Sequence, residues 1–178
     1  MNLTPQQLLA IMPHCPTPKV FAPALVEAMI DGGIITPLVA AAFLAEIAFE
    51  SDQCRQLTED TNGLYLEGRR DLGNTQVGDG PKYKGRGCIQ ITGRDEYTRC
   101  GQALGVDLVN QPELAAVPPA CFQTAVWYWA SKGLSLPAAL RNFDRCTKLI
   151  NGECTDGAPS YQSIRRKYYA TALRVMGA

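Results

Sequence analysis

The sequence contains a single histidine, His14, among its 178 residues. One imidazole excludes a metal centre built on several histidines, and it excludes a catalytic site that needs more than one. His14 lies in the proline-rich segment 13–18, so a Ser-His-Asp arrangement is not expected there either. No C-x-x-C spacing occurs, which removes the paired ligand pattern of a zinc site. We therefore predict a protein without a metal centre.

The chain has no excess charge of either sign, since 17 Lys and Arg residues balance 17 Asp and Glu residues. This balance argues against the broad basic surface that binds nucleic acids or anionic membranes. The longest apolar run, residues 38–45, is much shorter than a membrane-spanning helix. The N-terminus has no basic segment followed by an apolar stretch, so no export signal is expected. We predict neither nucleic-acid binding nor stable membrane insertion.

The seven cysteines are an odd number without a regular spacing, which does not suit a disulfide-rich secreted domain. Reduced thiols in a protein made in the cytoplasm are the better interpretation. Only Cys146 and Cys154 are close enough in sequence to suggest a local bridge, and their redox state stays open.

Helix signals recur along the chain, which has an apolar fraction of 46% and no linker or repeat. Thr4 with Pro5 and Gln7 has the pattern of a capping box. Thr36, followed by proline, predicts the start of a helix that reaches about Glu50. Further helices are predicted over residues 21–30, 94–104, 119–132 and 161–175, the last with Ser160 as its cap.

Residues 63–93 differ in composition from the helical segments, with many glycines and short β-type stretches. The segments 82–84 and 88–92 are predicted to pair as short strands. The predicted fold class is therefore mainly α, an α+β arrangement of two helical lobes around a substrate cleft with a small β-hairpin wing. Residues 1–178 are predicted to form a single domain.

The helix after Thr36 is apolar on every side from Leu38 to Phe49, except at Glu46. Such a helix belongs in the protein interior, so Glu46 and Glu50 must pair with cations or open onto a wet cleft. Partial burial of Glu50 at the helix end favours the protonated carboxyl that general-acid catalysis needs. A cleft-edge glutamate paired with an arginine stays open as the alternative. Glu46 is interpreted as a buried ion pair or hydrogen-bonding support.

A second carboxylate, Glu59, follows Glu50 in a polar stretch. An uninterrupted helix would separate the two by about 13 Å. The chain must bend for the carboxyls to reach the roughly 6.5 to 9.5 Å that suits an inverting glycosidase. From spacing alone, a solvated loop glutamate remains the alternative.

Three aromatic residues are consecutive in one predicted helix: Trp127, Tyr128 and Trp129. At least two of them must point into the core, and the third can line a sugar cleft. The glycines at 78–80 and 85–87 do not form a phosphate-binding loop, because no G-x-x-x-x-G-K-[ST] motif is present.

Four segments together resemble glycoside hydrolase family 19, the lysozyme-like group that contains plant-type chitinases and many phage endolysins. Residues 41–51 resemble the family's helix ending in His-Glu-Ser, with Glu50 at the general-acid position. Residues 67–80 resemble the segment that leads into the glycine-rich signature, and residues 83–94 resemble the signature itself. Residues 150–152 resemble the Ile-Asn-Gly motif late in the domain. The match covers nearly the whole chain and is particularly good with the single-domain endolysin branch.

The resemblance implies roles for individual residues. In such enzymes one glutamate protonates the glycosidic oxygen, and a second carboxylate activates water on the opposite sugar face with inversion. These roles fall on Glu50 and Glu59, and Thr92 matches a residue that helps to hold the nucleophilic water. The resemblance places five residues in substrate binding: Gln90, Tyr97, Asn151, Arg69 and Arg165. No cofactor and no metal is implied.

Three features depart from the family pattern. Phe49 stands where the family usually has histidine before the acid, and Glu96 replaces a common asparagine. The loop after Asn151 lacks the usual second glycine. With a two-residue gap, Glu153 matches a glutamate of the plant-type enzymes and Arg165 matches an arginine that neighbours the acid.

The predicted function is that of an endolysin, a muramidase that hydrolyses β-1,4-glycosidic bonds of bacterial peptidoglycan for host cell lysis. A chitinase acting on β-1,4-linked N-acetylglucosamine polymers is the alternative, and an inactive saccharide-binding domain is a third interpretation. The resemblance implies a monomer without a separate wall-binding domain. The resemblance also implies that the protein is made in the host cytoplasm and reaches periplasmic peptidoglycan with the help of a separate holin-like, pore-forming protein. Six basic residues are expected on the cleft side: Arg69, Arg70, Lys82, Lys84, Arg86 and Arg94.

Overall fold

The computed structural model describes residues 2–152 and 161–178, and within them the chain is mainly helical. The α-helices are α1 (Pro5–Ile11), α2 (Pro18–Asp31), α3 (Pro37–Glu50), α4 (Asp79–Lys82), α5 (Arg94–Leu104), α6 (Ala120–Ser131), α7 (Ser135–Ala139), α8 (Phe143–Asn151) and α9 (Gln162–Met176). Short 3-10 helices cover Leu64–Leu66, Arg70–Leu72 and Pro112–Ala116. The predicted mainly α class is confirmed.

The predicted helix starts are confirmed in α1 and α3. Thr4 accepts the N–H of Gln7, and the Gln7 side chain accepts the backbone N–H of Thr4, which completes a capping box. Thr36 accepts the N–H of Val39 at the start of α3. α2 begins earlier than predicted because Pro18, with its fixed φ, suits the first helical turn.

α3 lies at the centre of the larger lobe. Its residues 39–48 are all buried, including Glu46. α9 packs along α3, and α1, α7 and α8 also contact it. Because side chains on every side of α3 are removed from water, the hydrophobic effect holds the helix in the interior as the apolar pattern predicts.

A second, smaller core lies outside the α3 lobe. Its buried members come from the glycine-rich segment, α5 and the chain that follows: Tyr83, Ile91, Tyr97, Cys100, Leu108 and Ala115. α6 contacts α2 in the larger lobe and α5 in the smaller one, so it joins the two. The glycine-rich segment contributes to both cores, since Cys88 and Ile89 belong to the larger one and Tyr83 and Ile91 to the smaller one.

The predicted β-hairpin wing does not form strands in the described part of the chain. Arg86 makes two isolated antiparallel bridges there, one with Thr58 and one with Ile91. Gly87 and Gln90 both have positive φ, 86° and 51°, so the chain turns before a ladder can extend. Residues 63–93 form a set of tight turns that includes two 3-10 helices and the short helix α4.

Asp79 anchors these turns from a buried position at the start of α4. Its carboxylate accepts the backbone N–H groups of Thr75 and Gln76 at 3.0 and 2.9 Å. Arg94 adds a hydrogen bond from Nε at 2.9 Å and an ion pair through Nη2. The hydrogen bonds from Arg94 hold the pKa of Asp79 below its usual value. The ionised carboxylate therefore stabilises the fold.

We expect Asp79→Asn to lower the free energy of unfolding by about 2 kcal/mol at pH 7, because Arg94 loses its buried carboxylate. The pKa of Asp79 is lower in the folded chain than in the unfolded one. Its stabilisation is therefore present above the unfolded pKa and is lost as pH falls through the folded pKa. Urea unfolding at pH 7 and pH 3 should show a difference from wild type that shrinks at pH 3.

The exposed pair of Arg69 and Asp71 provides the matched control. Asp71→Asn should change the free energy of unfolding much less than Asp79→Asn, since solvent screens an exposed pair. Equal losses in the two variants would show that the Asp79 contacts do not stabilise the segment.

Candidate active site

Glu50 is the last residue of α3, at the point where this helix leaves the core. Its side chain is 18% exposed, whereas the helix residues 39–48 are buried. Ser51 ends the helix: its hydroxyl donates to the carbonyl oxygen of Ile47 at 2.6 Å and accepts the N–H of Cys54 at 2.8 Å. The Glu50 carboxyl therefore stands at the boundary between a dry interior and solvent.

Arg165 of α9 is buried and bridges the two glutamates of α3. Its Nη1 lies 2.5 Å from Oε2 of Glu46, and its Nη2 lies 2.6 Å from Oε1 of Glu50. The guanidinium also lies over the ring of Phe49, 3.9 Å from the ring centroid. The phenylalanine that replaces the usual histidine therefore supports this arginine through a cation–π contact.

Glu46 has no exposed surface, and the hydroxyl of Thr147 in α8 donates to its Oε1 at 2.6 Å. Burial raises the pKa of Glu46 to about 7, although the charge of Arg165 and the hydrogen bond from Thr147 act in the opposite direction. The charge of Glu50 adds to the rise. Glu46 thus forms the buried ion pair with Arg165 that its place in an apolar helix suggests. With a pKa of about 7, its charge changes near neutral pH.

Asn151 ends α8 beside Glu50. Its side-chain Nδ2 lies 3.4 Å from Oε1 of Glu50, and the residue is exposed. An amide at this position can donate to a carboxyl or to a bound sugar. Three residues singled out in the sequence lie outside the described residues: Glu153, Cys154 and Ser160.

The chain turns sharply between Glu50 and Glu59. The three consecutive residues 52–54 have φ values of 46°, 61° and 64°, a left-handed conformation that disfavours residues with a Cβ. The Gln53 side chain accepts the N–H of His14 at 2.9 Å, which ties the turn to the segment after α1. This turn supplies the bend that Glu59 requires to lie off the α3 axis.

Glu59 receives hydrogen bonds on both carboxylate oxygens. Oε2 accepts the N–H of Gly85 at 2.9 Å and the hydroxyl of Tyr65 at 3.2 Å, and Oε1 accepts the hydroxyl of Thr61. The backbone carbonyl of Glu59 also accepts Nζ of Lys84 at 3.0 Å. Both carboxylate oxygens of Glu59 therefore accept hydrogen bonds from the protein.

Gly85 marks the point where the polar groups of the smaller lobe converge. A Cβ on Gly85 would lie 2.6 Å from Oε1 of Gln90, 2.9 Å from Oε2 of Glu59 and 3.4 Å from Oγ1 of Thr92. The Thr92 hydroxyl donates to the Gln90 carbonyl at 2.9 Å, and the Gln90 amide donates to the carbonyl of Gly87 at 3.0 Å. The structure thus brings together three residues singled out in the sequence: Glu59, Gln90 and Thr92.

Tyr97 and Arg69, both assigned to substrate binding by the resemblance, have different surroundings. Tyr97 is fully buried, its hydroxyl donates to the Lys84 carbonyl at 2.7 Å, and burial raises its pKa. A fully buried side chain does not contact a sugar directly. Tyr97 instead stabilises the glycine-rich segment through its hydrogen bond to Lys84. Arg69 is exposed and pairs with Asp71 at 2.6 Å. Burial raises the pKa of the Tyr65 phenol, and the charge of Arg69 acts in the opposite direction.

The aromatic run differs in burial along its length. Trp129 is buried, whereas Trp127 and Tyr128 are both half-buried. Burial raises the pKa of Tyr128 to about 12, and the charges of Glu96 and Glu50 add to the rise. Glu96 in turn accepts the N–H of Thr92 at 2.9 Å. The charges of Glu50 and of the residue that binds Thr92 therefore both act on Tyr128.

A groove of about 650 Å³ opens beside Thr92. Its charged lining consists of three carboxylates and one guanidinium, from Asp71, Asp95, Glu96 and Arg99. Several of the basic residues expected on the cleft side instead make contacts within the smaller lobe. Arg94 pairs with Asp79, and Arg86 and Lys84 donate to backbone carbonyls.

Within residues 2–152 and 161–178, no group of three or more His, Cys, Asp or Glu side chains has an arrangement that could hold a metal ion. No helix of that part of the chain is both long and apolar enough to cross a membrane. The six described cysteines, Cys146 among them, are buried free thiols.

Comparison with known sequences gives a family and several relatives. The model of the glycoside hydrolase 19 family, described as chitinase class I, matches residues 40–143. An endochitinase of Arabidopsis thaliana is 31% identical over 147 residues, which cover 82% of this chain and 50% of the relative. The acidic 27 kDa endochitinase of Solanum lycopersicum is 35% identical over 102 residues, or 57% of this chain and 38% of that protein. This chain thus spans about half, or less, of these curated relatives.

Comparison with solved structures shows the fold. Chitinase C from Streptomyces griseus superposes with a TM-score of 0.81 at 24% identity, over 99% of this chain and 93% of that one. The class IV chitinase from Zea mays gives a TM-score of 0.70 at 22% identity, over 87% of this chain and 79% of that one. The predicted lysozyme-like arrangement of helices is therefore confirmed.

Proposed function

This chain belongs to glycoside hydrolase family 19, and from that premise we propose that it hydrolyses β-1,4-glycosidic bonds with Glu50 as general acid and Glu59 as general base. The observation that carries the proposal is the contrast between the two carboxyls. Glu50 emerges from an apolar helix at the edge of the core, whereas Glu59 accepts donors on both oxygens. Two carboxyls in such different environments suit opposite proton roles.

The acid step uses the carboxyl oxygen of Glu50 to which residues 2–152 and 161–178 donate no hydrogen bond, Oε2. Its Oε1 accepts from Arg165 and Asn151, so we assign the transferable proton to Oε2. Protonation of the glycosidic oxygen by this carboxyl lets the leaving sugar depart as a neutral alcohol. A general acid in this position typically contributes 10²- to 10⁴-fold to the rate.

The base step takes place in the smaller lobe. The nucleophilic water binds where Glu59 Oε2, Thr92 Oγ1 and Gln90 Oε1 converge beside Gly85. Glu59 removes its proton as the water attacks the anomeric carbon from the face opposite Glu50. Attack from that face inverts the configuration of the product.

For the substrate we propose bacterial peptidoglycan, which makes the protein an endolysin with muramidase activity. The segment between the two carboxyls supports this choice. It consists of a compact turn over residues 52–54, and Tyr65 beside Glu59 is 60% exposed. A cleft without a long loop between its carboxyls has room for glycan strands that carry peptides. The proposal includes passage to the wall with the help of a separate pore-forming protein.

Chitin is the second candidate, and a specific observation favours it. The groove beside Thr92 carries three carboxylates, and these repel the acidic peptides of peptidoglycan but not a neutral polymer of N-acetylglucosamine. The relatives named above are endochitinases by name. The third interpretation, an inactive saccharide-binding domain, is opposed by the presence of both carboxyls and their partners.

A product analysis separates the candidates. The purified chain is incubated with peptidoglycan sacculi and, separately, with chitin oligosaccharides, and the products are identified by mass spectrometry. We expect muropeptides with N-acetylmuramic acid at the reducing end, released at least tenfold faster than chitin fragments. Faster release from chitin would assign the chitinase function. Sugar binding without cleavage of either polymer would assign the inactive domain.

A further inference from the structure

The tyrosine beside Glu59 is held at its polar tip and exposed along the rest of its side chain. The hydroxyl of Tyr65 donates to Oε2 of Glu59 at 3.2 Å, yet 60% of the surface of Tyr65 is exposed. An apolar ring with a hydrogen-bonded hydroxyl is the kind of aromatic group that binding surfaces use. The carboxylate thus has next to it a large aromatic surface that the fold itself does not cover.

The backbone on either side of this ring is fixed. Leu66, in the same 3-10 helix as Tyr65, is buried. The carboxylate of Glu67 accepts the N–H groups of Gly78 and Gly80 at 2.7 and 2.8 Å, which ties the end of this helix to the start of α4. Because the backbone is anchored, the ring of Tyr65 has a defined place beside the carboxylate, as a binding group requires.

We propose that Tyr65 has two roles in the reaction: its hydroxyl orients the carboxylate of Glu59, and its ring packs against a sugar of the bound polymer at the cleavage point. The inference rests on the proposed function, since it requires Glu59 to be the base. In the first role Tyr65 is a positioning residue, because it acts through Glu59. In the second role it is a binding residue, because its ring touches the substrate.

The first role follows from the donors around Glu59. The N–H of Gly85 and the hydroxyl of Tyr65 both bind Oε2, at 2.9 and 3.2 Å, and the Thr61 hydroxyl binds Oε1. Burial and the charge of Glu59 raise the pKa of the Tyr65 phenol, so this hydroxyl keeps its proton and remains a donor. Donors on both oxygens restrain rotation of the carboxylate, which must keep its orientation while the water attacks.

The second role follows from where the ring lies. Glu59 must be near the anomeric carbon to direct the water, so a ring bonded to Glu59 lies beside the sugar that is attacked. The C–H groups on the face of a β-linked sugar can pack against an aromatic ring while its hydroxyls remain free for polar groups. Arg69, which the resemblance assigns to substrate binding, is close enough for its charge to act on the Tyr65 phenol.

The two roles predict different kinetic changes in two variants. Tyr65→Phe keeps the ring and removes the donor, so kcat should fall about threefold to tenfold while KM stays within about twofold of wild type. Tyr65→Ala removes the donor and the ring, so KM should also rise about tenfold. A merely structural role predicts instead that phenylalanine restores both constants.

Sugar binding can be measured apart from hydrolysis in the Glu50→Gln background. The probe is chitin hexasaccharide or a soluble peptidoglycan fragment of the same length, whichever polymer the product analysis selects. In isothermal titration calorimetry, adding Tyr65→Ala should raise the Kd about tenfold, whereas adding Tyr65→Phe should leave it unchanged. Leu64→Ala is the matched control, because Leu64 lies in the same 3-10 helix and is also 60% exposed. It should keep the rates and the Kd of its parent chain.

A wild-type kcat in Tyr65→Phe would overturn the positioning role. A wild-type KM and an unchanged Kd in Tyr65→Ala would overturn the binding role, and so would equal losses in Leu64→Ala and Tyr65→Ala. Full activity of Glu59→Gln would instead remove the proposed function, so the two failures can be told apart. Thermal unfolding of each variant checks that the chain is folded.

Discussion

Glu50→Gln should reduce hydrolysis about 10³-fold on both peptidoglycan and chitin oligosaccharides while the chain stays folded. An amide has the size of the carboxyl but no proton to give to the glycosidic oxygen, so the leaving sugar must depart as an alkoxide. Arg165 keeps Glu46 as a charge partner in this variant, which limits any loss of stability. Initial rates of product release on the two polymers, together with thermal unfolding, measure the effect.

Glu27→Gln is the matched control, because Glu27 is exposed on α2 and is remote in sequence from both carboxyls. It should retain wild-type rates. If Glu50→Gln also retains them, the acid is another residue and the proposed mechanism fails at its first step.

Glu59→Gln should cause a loss of similar size, about 10²- to 10³-fold, through the other half of the reaction. The glutamine cannot take a proton from the attacking water, although its amide oxygen can still accept from Gly85 and Tyr65. Because binding of the sugar does not require the negative charge, KM should change less than kcat. Steady-state kinetics give both constants, and NMR of the first product shows its anomeric configuration.

Glu113→Gln supplies the control for this substitution, since Glu113 is exposed in the 3-10 helix Pro112–Ala116. A Glu59→Gln variant as active as this control would mean that another group activates the water. A product with retained configuration would contradict single-displacement chemistry, whatever the rates of the variants.

The helical part of the fold could be predicted from sequence because local rules act there without competition. The Thr4 and Thr36 caps and the apolar run between Leu38 and Phe49 each depend on residues within one or two turns. The short helices α4 and α7 are missing from the prediction, since four or five residues carry no clear periodicity, and the nine-residue helix α8 is missing too.

The glycine-rich segment was predicted less well for a physical reason. Its β-type residues suggest strands, but φ is positive at Gly87 and Gln90, and the N–H of Gly87 donates to the carbonyl of Leu57, thirty residues earlier. Tyr97 shows the same limit: the motif identified it, while its burial is a tertiary property. Local pattern cannot report which side of a loop faces the solvent.

The partners of the two carboxyls were the part of the site that sequence could not supply. Thr61 and Tyr65 lie close to Glu59 in sequence, but hydroxyls near a glutamate are common and give no distinct signal. Thr147 contacts Glu46 from 101 residues away. The resemblance identified Arg165 across a gap in the alignment, and the bridge to Glu46 required the structure.

The contact between Glu46 and Arg165 joins residues 119 positions apart. A ribosome makes α9 after all the other described helices, so a partly synthesised chain contains the acid helix without its arginine. Until α9 docks, α3 also lacks the helix that packs along it. The two carboxyls of α3 therefore lack their buried cation until α9 has been made and has docked.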